Sequence, residues 1–475
     1  MQFPFVGASY SARVKNLDAQ QCINLYPEMG GPNSKTVAAL IGTPGLVLWS
    51  TLTGGGVRGL LRFSESVSVV VVGANVYTVT DAGVSTLRGT IDTATTPVCM
   101  ASNGQVLMIV TGPNGYALNP TTGSLTQISN PAFTGADRVD FIDGYFVFNK
   151  PGTGQFQITN LYSTDIDDLD FATAEGSPDL LVSLIVDHRE VWLFGENSTE
   201  VYFNSGNADF PFERIQGAFI EQGCAAKNSV AKMDNRVFWL SADDRGRGMV
   251  MSATGYQPQR VSDHALEYAI GQMTTVDDAV AYTYQQEGHS FYVLNFPTAN
   301  QTWAYDAATN MWHQRAWRNP SDASINRHRA NCQMAFINEN IVGDWQTGNL
   351  YKLDLDAYTD NEDLIPRIRT CPHLSDPDYR WQVFDELRID MRTGVGLNGT
   401  AQGSDPKIML QWSTDGGYSW SNELWAPMGK VGERRVRAVW RRLGRSRDRV
   451  FKVIITDPVA VAFVGATVRM RTGAS

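Results

Sequence analysis

A unit of strand, tight turn, very apolar strand, Gly/Asn-rich turn and a Tyr- or Phe-rich strand recurs along most of this chain and leaves few folds open to it. In the first copy Gly59-Leu-Leu-Arg-Phe runs through Ser-Glu-Ser into Val67 to Val72, then through Gly-Ala-Asn into Val76-Tyr-Thr-Val. Later copies turn at Asn103-Gly104, Asp143-Gly144, His188-Arg189, Asp234-Asn235, Glu287-Gly288 and Asn338 to Asn340. The spacing of these turns is roughly 40 to 50 residues, the size of a four-stranded propeller blade. Asn-Gly and Asp-Gly between apolar runs are hairpin signals, because both central residues accept positive φ. Near-continuous apolar second strands fit a blade covered on both faces. The copies are degenerate and carry neither a WD nor a kelch signature, so six or seven blades are expected. Two β-sandwiches in series are the alternative.

Composition agrees with an all-β chain. The 475 residues include 43 glycines, aromatics make up 11% and charged residues 19%, a profile suited to strands and turns rather than helix bundles. One short helix is expected, Asp263 to Ile270, capped by the aspartate. Cys22, Cys99, Cys224, Cys332 and Cys371 lie far apart without a CxxC, which points to buried thiols rather than a zinc site or disulfide scaffold. The N-terminus has no basic stretch followed by an apolar run, so no signal peptide is expected. The longest apolar run, Val459 to Val464, is too short to span a bilayer.

Four segments follow from these patterns: an N-terminal arm and propeller-closing segment (1–55), the propeller (56–365), a polar linker (366–380), and a C-terminal β-sandwich (381–475). The sandwich strands are expected at Phe384 to Met391, Lys407 to Trp412, Arg435 to Arg442, Val450 to Thr456 and Val459 to Met470. The net charge of −10 conceals an asymmetry, since residues 434–475 hold eleven basic and two acidic side chains. The rest of the chain carries −19. An acidic body with a basic end suggests different partners for the two.

Within that end, Arg434, Arg435, Arg437, Arg441, Arg442, Arg445, Arg447 and Arg449 place eight guanidiniums in sixteen residues. On a strand, Arg435, Arg437 and Arg441 would project to one side and Val436, Ala438 and Trp440 to the other. Contact with DNA phosphates or an acidic partner is one reading. A solvated hairpin that keeps a sheet edge soluble is the other. No helix carries these arginines, so sequence-specific reading of DNA is not expected.

Other motifs offer chemistry only in outline. Gly54-x-Gly56-x-x-Gly59 runs into a strand where a dinucleotide fingerprint requires a helix, and so reads as a Gly-rich turn. Asp165, Asp167, Asp168 and Asp170 lack the Gly and Glu of a calcium loop and read as a solvated acidic loop. Ser413-Thr-Asp415-Gly-Gly417-Tyr-Ser419-Trp420 is similar to the Asp-box of sialidase-type propellers. That resemblance implies a turn whose carboxylate ties backbone N–H groups, with Ser413, Asp415, Gly417 and Trp420 in structural roles. The histidines show no HxH or HExxH spacing, and neither G-x-S-x-G nor G-K-[ST] occurs. No catalytic, metal-ligating or cofactor-binding residue is singled out, and neither an enzyme nor a cofactor is expected.

As an ordered series the residues resemble the packaged-DNA stabilisation proteins, or tail hubs, of short-tailed phages. The telling stretch is Val439-Trp440-Arg441-Arg442-Leu443-Gly444-Arg445 through Phe451-Lys-Val-Ile-Ile-Thr, Pro458-Val and Val468-Arg469. Phe194-Gly195-Glu-Asn-Ser-Thr-Glu200-Val-Tyr-Phe, Gln222-Gly223-Cys224-Ala225, Ala304-Tyr305-Asp306-Ala307 before Trp312, and Asn24-Leu-Tyr-Pro fit as well. The resemblance implies a structural virion protein, made in the host cytoplasm and built into the tail. It implies a homo-hexamer below the portal and its adaptor ring, with the tail needle plugging the exit and tailspikes outside. Such a hub holds packaged DNA in and later forms part of the ejection channel. It lies near double-stranded DNA without reading its sequence and takes no small-molecule substrate. The alternative is a carbohydrate-binding or glycoside-cleaving propeller of a phage tail.

Overall fold

The computed structural model describes residues 2–473 apart from 175, 244 and 245, together with the backbone alone of 243 and 247; Met1 and the last two residues of the expected 381–475 unit lie outside the described residues. Nearly every regular element is a strand. Four separate four-stranded sheets follow one another over 57–90, 99–127, 139–173 and 181–220. A fifth, over 231–260, carries the extra strand Gly223–Cys224. The sixth spans 280–318. The seventh contributes three strands over 330–354 and takes its fourth from the N-terminal segment, where Gly45–Thr51 pairs antiparallel with Asn349–Asp354. Among the described residues these make seven blades, closed by a strand from the opposite end of the chain.

The expected turns join the first two strands of the blades. Asp143 and Gly144 hold φ of 49° and 98°, and Glu287 and Gly288 hold 48° and 83°. Both central residues of a primed turn need positive φ, and its twist matches that of the flanking strands. The apolar second strands are explained by what covers them. Val70 and Val72 pack on Ile341 and Leu350 of the seventh blade, while Val69 and Val71 pack on Leu107 and Ile109 of the second. Alternate side chains of one strand thus serve two interfaces, and the one polar residue on it, the buried Ser68, donates its hydroxyl to Val79 O at 3.1 Å. The single helix among the described residues is His264–Gly271, and Asp263 accepts a 2.8 Å bond from the Leu266 N–H as its cap.

The second unit is a β-sandwich built from both ends of the chain. One sheet runs in the order Leu25–Met29, Ala38–Gly42, Ala462–Thr472, Gln382–Met391 and Ala438–Arg441. The facing sheet runs Ala19–Ile23, Arg367–Thr370, Asp448–Ile455, Lys407–Ser413 and Leu424–Pro427. Phe3, Phe5, Leu25, Leu40, Phe384, Trp440, Phe451 and Phe463 share its core. The facing sheet also continues into the sixth blade, where Ile23 pairs with Gln314, so hydrogen-bonded backbone ties the two units together.

The polar segment 366–380, read as a linker, therefore carries a strand paired on both sides. Two of its arginines, Arg367 and Arg369, are interior groups. Arg369 is fully buried and donates to the carbonyls of Phe5 (2.7 Å), Ala8 (2.9 Å) and Gln21 (3.3 Å). The residues before Gly45 likewise enter both sandwich sheets rather than forming a free arm.

Candidate functional site

The arginine-rich segment sits at one edge of the first sandwich sheet. The regular strand is Ala438–Arg441, shorter than the 435–442 expected, because residues 430–436 fold into turns against the Gly394 loop, with Gly432 N–H donating to Gly394 O at 3.2 Å. The alternation nevertheless follows the sequence reading. Ala438 and Trp440 point into the core, whereas Arg434, Arg435, Arg437 and Arg441 are exposed.

Register brings further charges beside them. Glu386 on the neighbouring strand pairs with Arg441 on one side and Arg469 on the other. Its carboxylate accepts from Arg388 and, at 2.8 Å, from Arg441 Nε. Those two guanidiniums, Arg388 first, hold the Glu386 carboxyl below the usual carboxylate range. An open groove of about 680 Å³ follows this face, lined by Asp376, Gln382, Glu386, Arg388, Thr467 and Arg469 among others. The chain leaves the edge through Arg442 at φ 58° and Gly444 at φ 78°. Arg445 and Arg447 then lie over the Trp381 ring, at 4.9 and 5.3 Å from its centroid. Arg434, Arg435, Arg437 and Arg442 form no ion pair among the described residues.

Arg449 departs from the group. It is 1% exposed, donates to Leu443 O at 2.8 Å, and lies 4.6 Å from the Phe384 ring centroid. Burial lowers its pKa to about 10. It is a core residue and cannot meet a partner from this position. The signal was in the sequence, because Arg449 shares parity with Phe451, Val453 and Ile455, and all four face inward. Arg388 and Arg469 were missed for the opposite reason: they lie far from the cluster along the chain, and only strand register places them on its face.

The Asp-box-like turn connects Lys407–Ser413 to Leu424–Pro427. Asp415 accepts from the backbone N–H of Tyr418 and Ser419 at 3.0 Å and from the hydroxyl of Ser413 at 2.6 Å. Ser413 Oγ in turn accepts from Gly417 N–H at 2.8 Å, with Gly417 at φ 94°. The Ser413 and Ser419 hydroxyls, then the backbone donors, hold the Asp415 carboxyl well below its ordinary range. Trp420 lies under the Lys452 ammonium, 4.1 Å from its ring centroid. The Asp415 carboxylate and the Ser413 hydroxyl are thus spent inside the turn.

Among the described residues no group of three His, Cys, Asp or Glu side chains is placed to hold a metal ion. In the acidic loop, Asp165 accepts from Ser163 and Asp167 from the Leu169 N–H, so local turns use carboxylates there. Gly54 and Gly56 precede the strand Val57–Arg62 rather than a helix.

Two protein-family models match the chain. The model described as the bacteriophage P22 Gp10 beta-propeller matches residues 1–358, and that of the P22 Gp10 beta-sandwich matches 367–471. No curated protein sequence matches. Solved structures with similar folds include the computationally designed Ika8 protein, at 12% identity and a TM-score of 0.38 over 70% of this chain and 99% of that one. The WD40 propeller domain of Doa1 matches at 12% identity and 0.41, over 65% of this chain and 96% of its own. The extracellular domain of a putative one-component system, BT4673 from B. thetaiotaomicron, matches at 11% and 0.45, over 81% and 48%. At such low identity and TM-score these likenesses carry no functional information.

Proposed function

The chain belongs to the bacteriophage P22 Gp10 family of packaged-DNA stabilisation proteins, phage structural tail components, and from that premise we propose that it is the hub of a short phage tail. Six copies surround the DNA exit channel below the portal and its adaptor ring, retain packaged DNA, and later form part of the ejection path. The tail needle closes the ring and tailspikes attach outside. The chain is made in the host cytoplasm and joins the particle during tail assembly.

The observation that carries this reading is the arginine face of the sandwich. Four exposed guanidiniums, Arg434, Arg435, Arg437 and Arg442, make no ion pair among the described residues, and Arg441 and Arg445 stand beside them on ordered backbone. Held on a sheet edge, they lose little further conformational freedom on docking. Guanidiniums grip carboxylates bidentately, so an acidic protein surface fits them best. A propeller body of the opposite charge repels DNA and lets it slide where it faces the channel.

The test combines light scattering with negative-stain imaging of the purified chain, alone and mixed with adaptor-loaded portal. Six copies below the portal are expected. The triple variant Arg441→Glu, Arg442→Glu and Arg445→Glu should keep its circular dichroism and lose association. A variant that still joins infectious particles would refute the role of this face. A wild-type chain that is folded, ignores the portal and binds glycans on an array would favour the carbohydrate-binding reading.

A further inference from the structure

The first strands of successive blades stand against one another around the propeller axis: Val57–Arg62 touches Ala330–Phe336 and Cys99–Ser102, and Val280–Gln286 also touches Ala330–Phe336. They line an open cavity of about 260 Å³. Its walls include two arginines, Arg58 from the first blade and Arg138 at the start of the third, and no carboxylate. Asn228, Thr283, Asn331 and Gln333 add polar groups.

Neither arginine is satisfied. Arg58 is 2% exposed, and its Nε and Nη1 donate to the carbonyls of Thr96 (2.7 Å), Gly73 (2.9 Å) and Asp92 (2.9 Å). Its Nη2 is buried without an acceptor. Arg138 reaches Asn228 Oδ1 through Nη1 at 3.5 Å, while its Nε is buried without an acceptor. The neighbouring carboxylates are engaged elsewhere. Asp92 accepts from Thr111 (2.8 Å) and from the Tyr116 hydroxyl (3.2 Å), and Asp137 is paired with Lys227 at 2.6 Å. The Asn331 carbonyl is taken by Arg327 at 3.3 Å, which leaves its amide N–H₂ as a donor on the wall.

Folded proteins rarely leave buried donors unpaired, and those on charged groups cost most. The unpaired Arg58 Nη2 and Arg138 Nε are themselves closed off from solvent, so what the pocket offers is the charge of two guanidiniums on walls without a carboxylate, a setting that attracts negative charge. We propose that the axial cavity binds a small oxyanion of the phosphate type, attracted by the charges of Arg58 and Arg138 and bonded by amide donors from the other blades. The volume admits such an ion together with water. Because blades one and three are not neighbours, the anion would also bridge the ring across its axis and resist its opening.

The probe is inorganic phosphate, added to the full chain at fixed ionic strength against chloride, with the affinity read by calorimetry and the unfolding midpoint by fluorescence. Phosphate should bind in a one-to-one ratio and raise the midpoint, while chloride does neither. Arg138→Met, which gives up only the long contact to Asn228, should keep its unliganded midpoint and weaken phosphate binding about tenfold or more. Arg13→Met, an exposed arginine outside the cavity, should bind phosphate as the native chain does. Equal responses to phosphate and chloride would mean a water-filled cavity and overturn the proposal. So would unchanged binding in Arg138→Met. None of these outcomes depends on whether the protein docks beneath a portal.

Discussion

Replacing Arg369 with Met should loosen the N-terminal arm and leave the propeller intact. The side chain is fully buried, and besides its three backbone acceptors it also reaches Gln20 Oε1. Methionine fills much of the volume but donates nothing. Among the described residues the carbonyls of Phe5 and Ala8 accept no backbone hydrogen bond, so both lose a strong, charge-assisted donor. At about 1–3 kcal/mol for each buried group left unpaired, the loss comes to about 2–6 kcal/mol. For a unit near 150 residues, 1 kcal/mol moves the midpoint by about 2–4 °C, so the sandwich transition should fall by about 4 °C or more. Lysine keeps the charge but cannot fork to several acceptors, and Arg369→Lys should recover only part of the loss. Calorimetry measures the transition, and hydrogen exchange locates it, with amides of residues 2–11 losing protection while blade amides do not. A midpoint within about 2 °C of the native value, with the arm still protected, would refute the stapling role.

Two further outcomes follow from groups whose titration the fold has altered. Asp415 is held below its ordinary pKa in the folded chain, so its contribution is present above about pH 4 and is lost as pH falls through the folded value. Asp415→Asn should therefore lower stability by about 1 kcal/mol at neutral pH, discounted for solvent exposure, with the difference shrinking in acid unfolding below about pH 4. Burial pushes the thiols of Cys22 and Cys224 up to about 11 and those of Cys332 and Cys371 up to about 12. A disulfide reagent at pH 8 should therefore leave the buried Cys22, Cys224 and Cys371 unmodified in the native chain and react with all five cysteines after denaturation; rapid native labelling at any of the three would contradict their burial.

The blades were legible because each signal was local. A primed turn needs residues tolerant of positive φ, and Asp143-Gly144 and Glu287-Gly288 announce it within two positions. The runs Val69 to Val72 and Val191 to Phe194 are apolar without a break because neighbouring blades cover both faces. The helix cap at Asp263 was equally local. The origin of the seventh blade's fourth strand was not, since nothing in Gly45–Thr51 says that its partner lies some 300 residues away.

The same division holds at the arginine face. Alternation around Ala438 and Trp440 fixed that Arg437 and Arg441 face solvent, because period-two spacing is a property of any strand. Tertiary structure decided which charges stand beside them. Glu386, Arg388 and Arg469 join the face through antiparallel register alone. It also decided that Arg367 and Arg369, in a segment polar enough to pass for a linker, are interior groups. Composition reports how costly a side chain is to bury, and only the assembled fold supplies the carbonyls and rings that offset the cost.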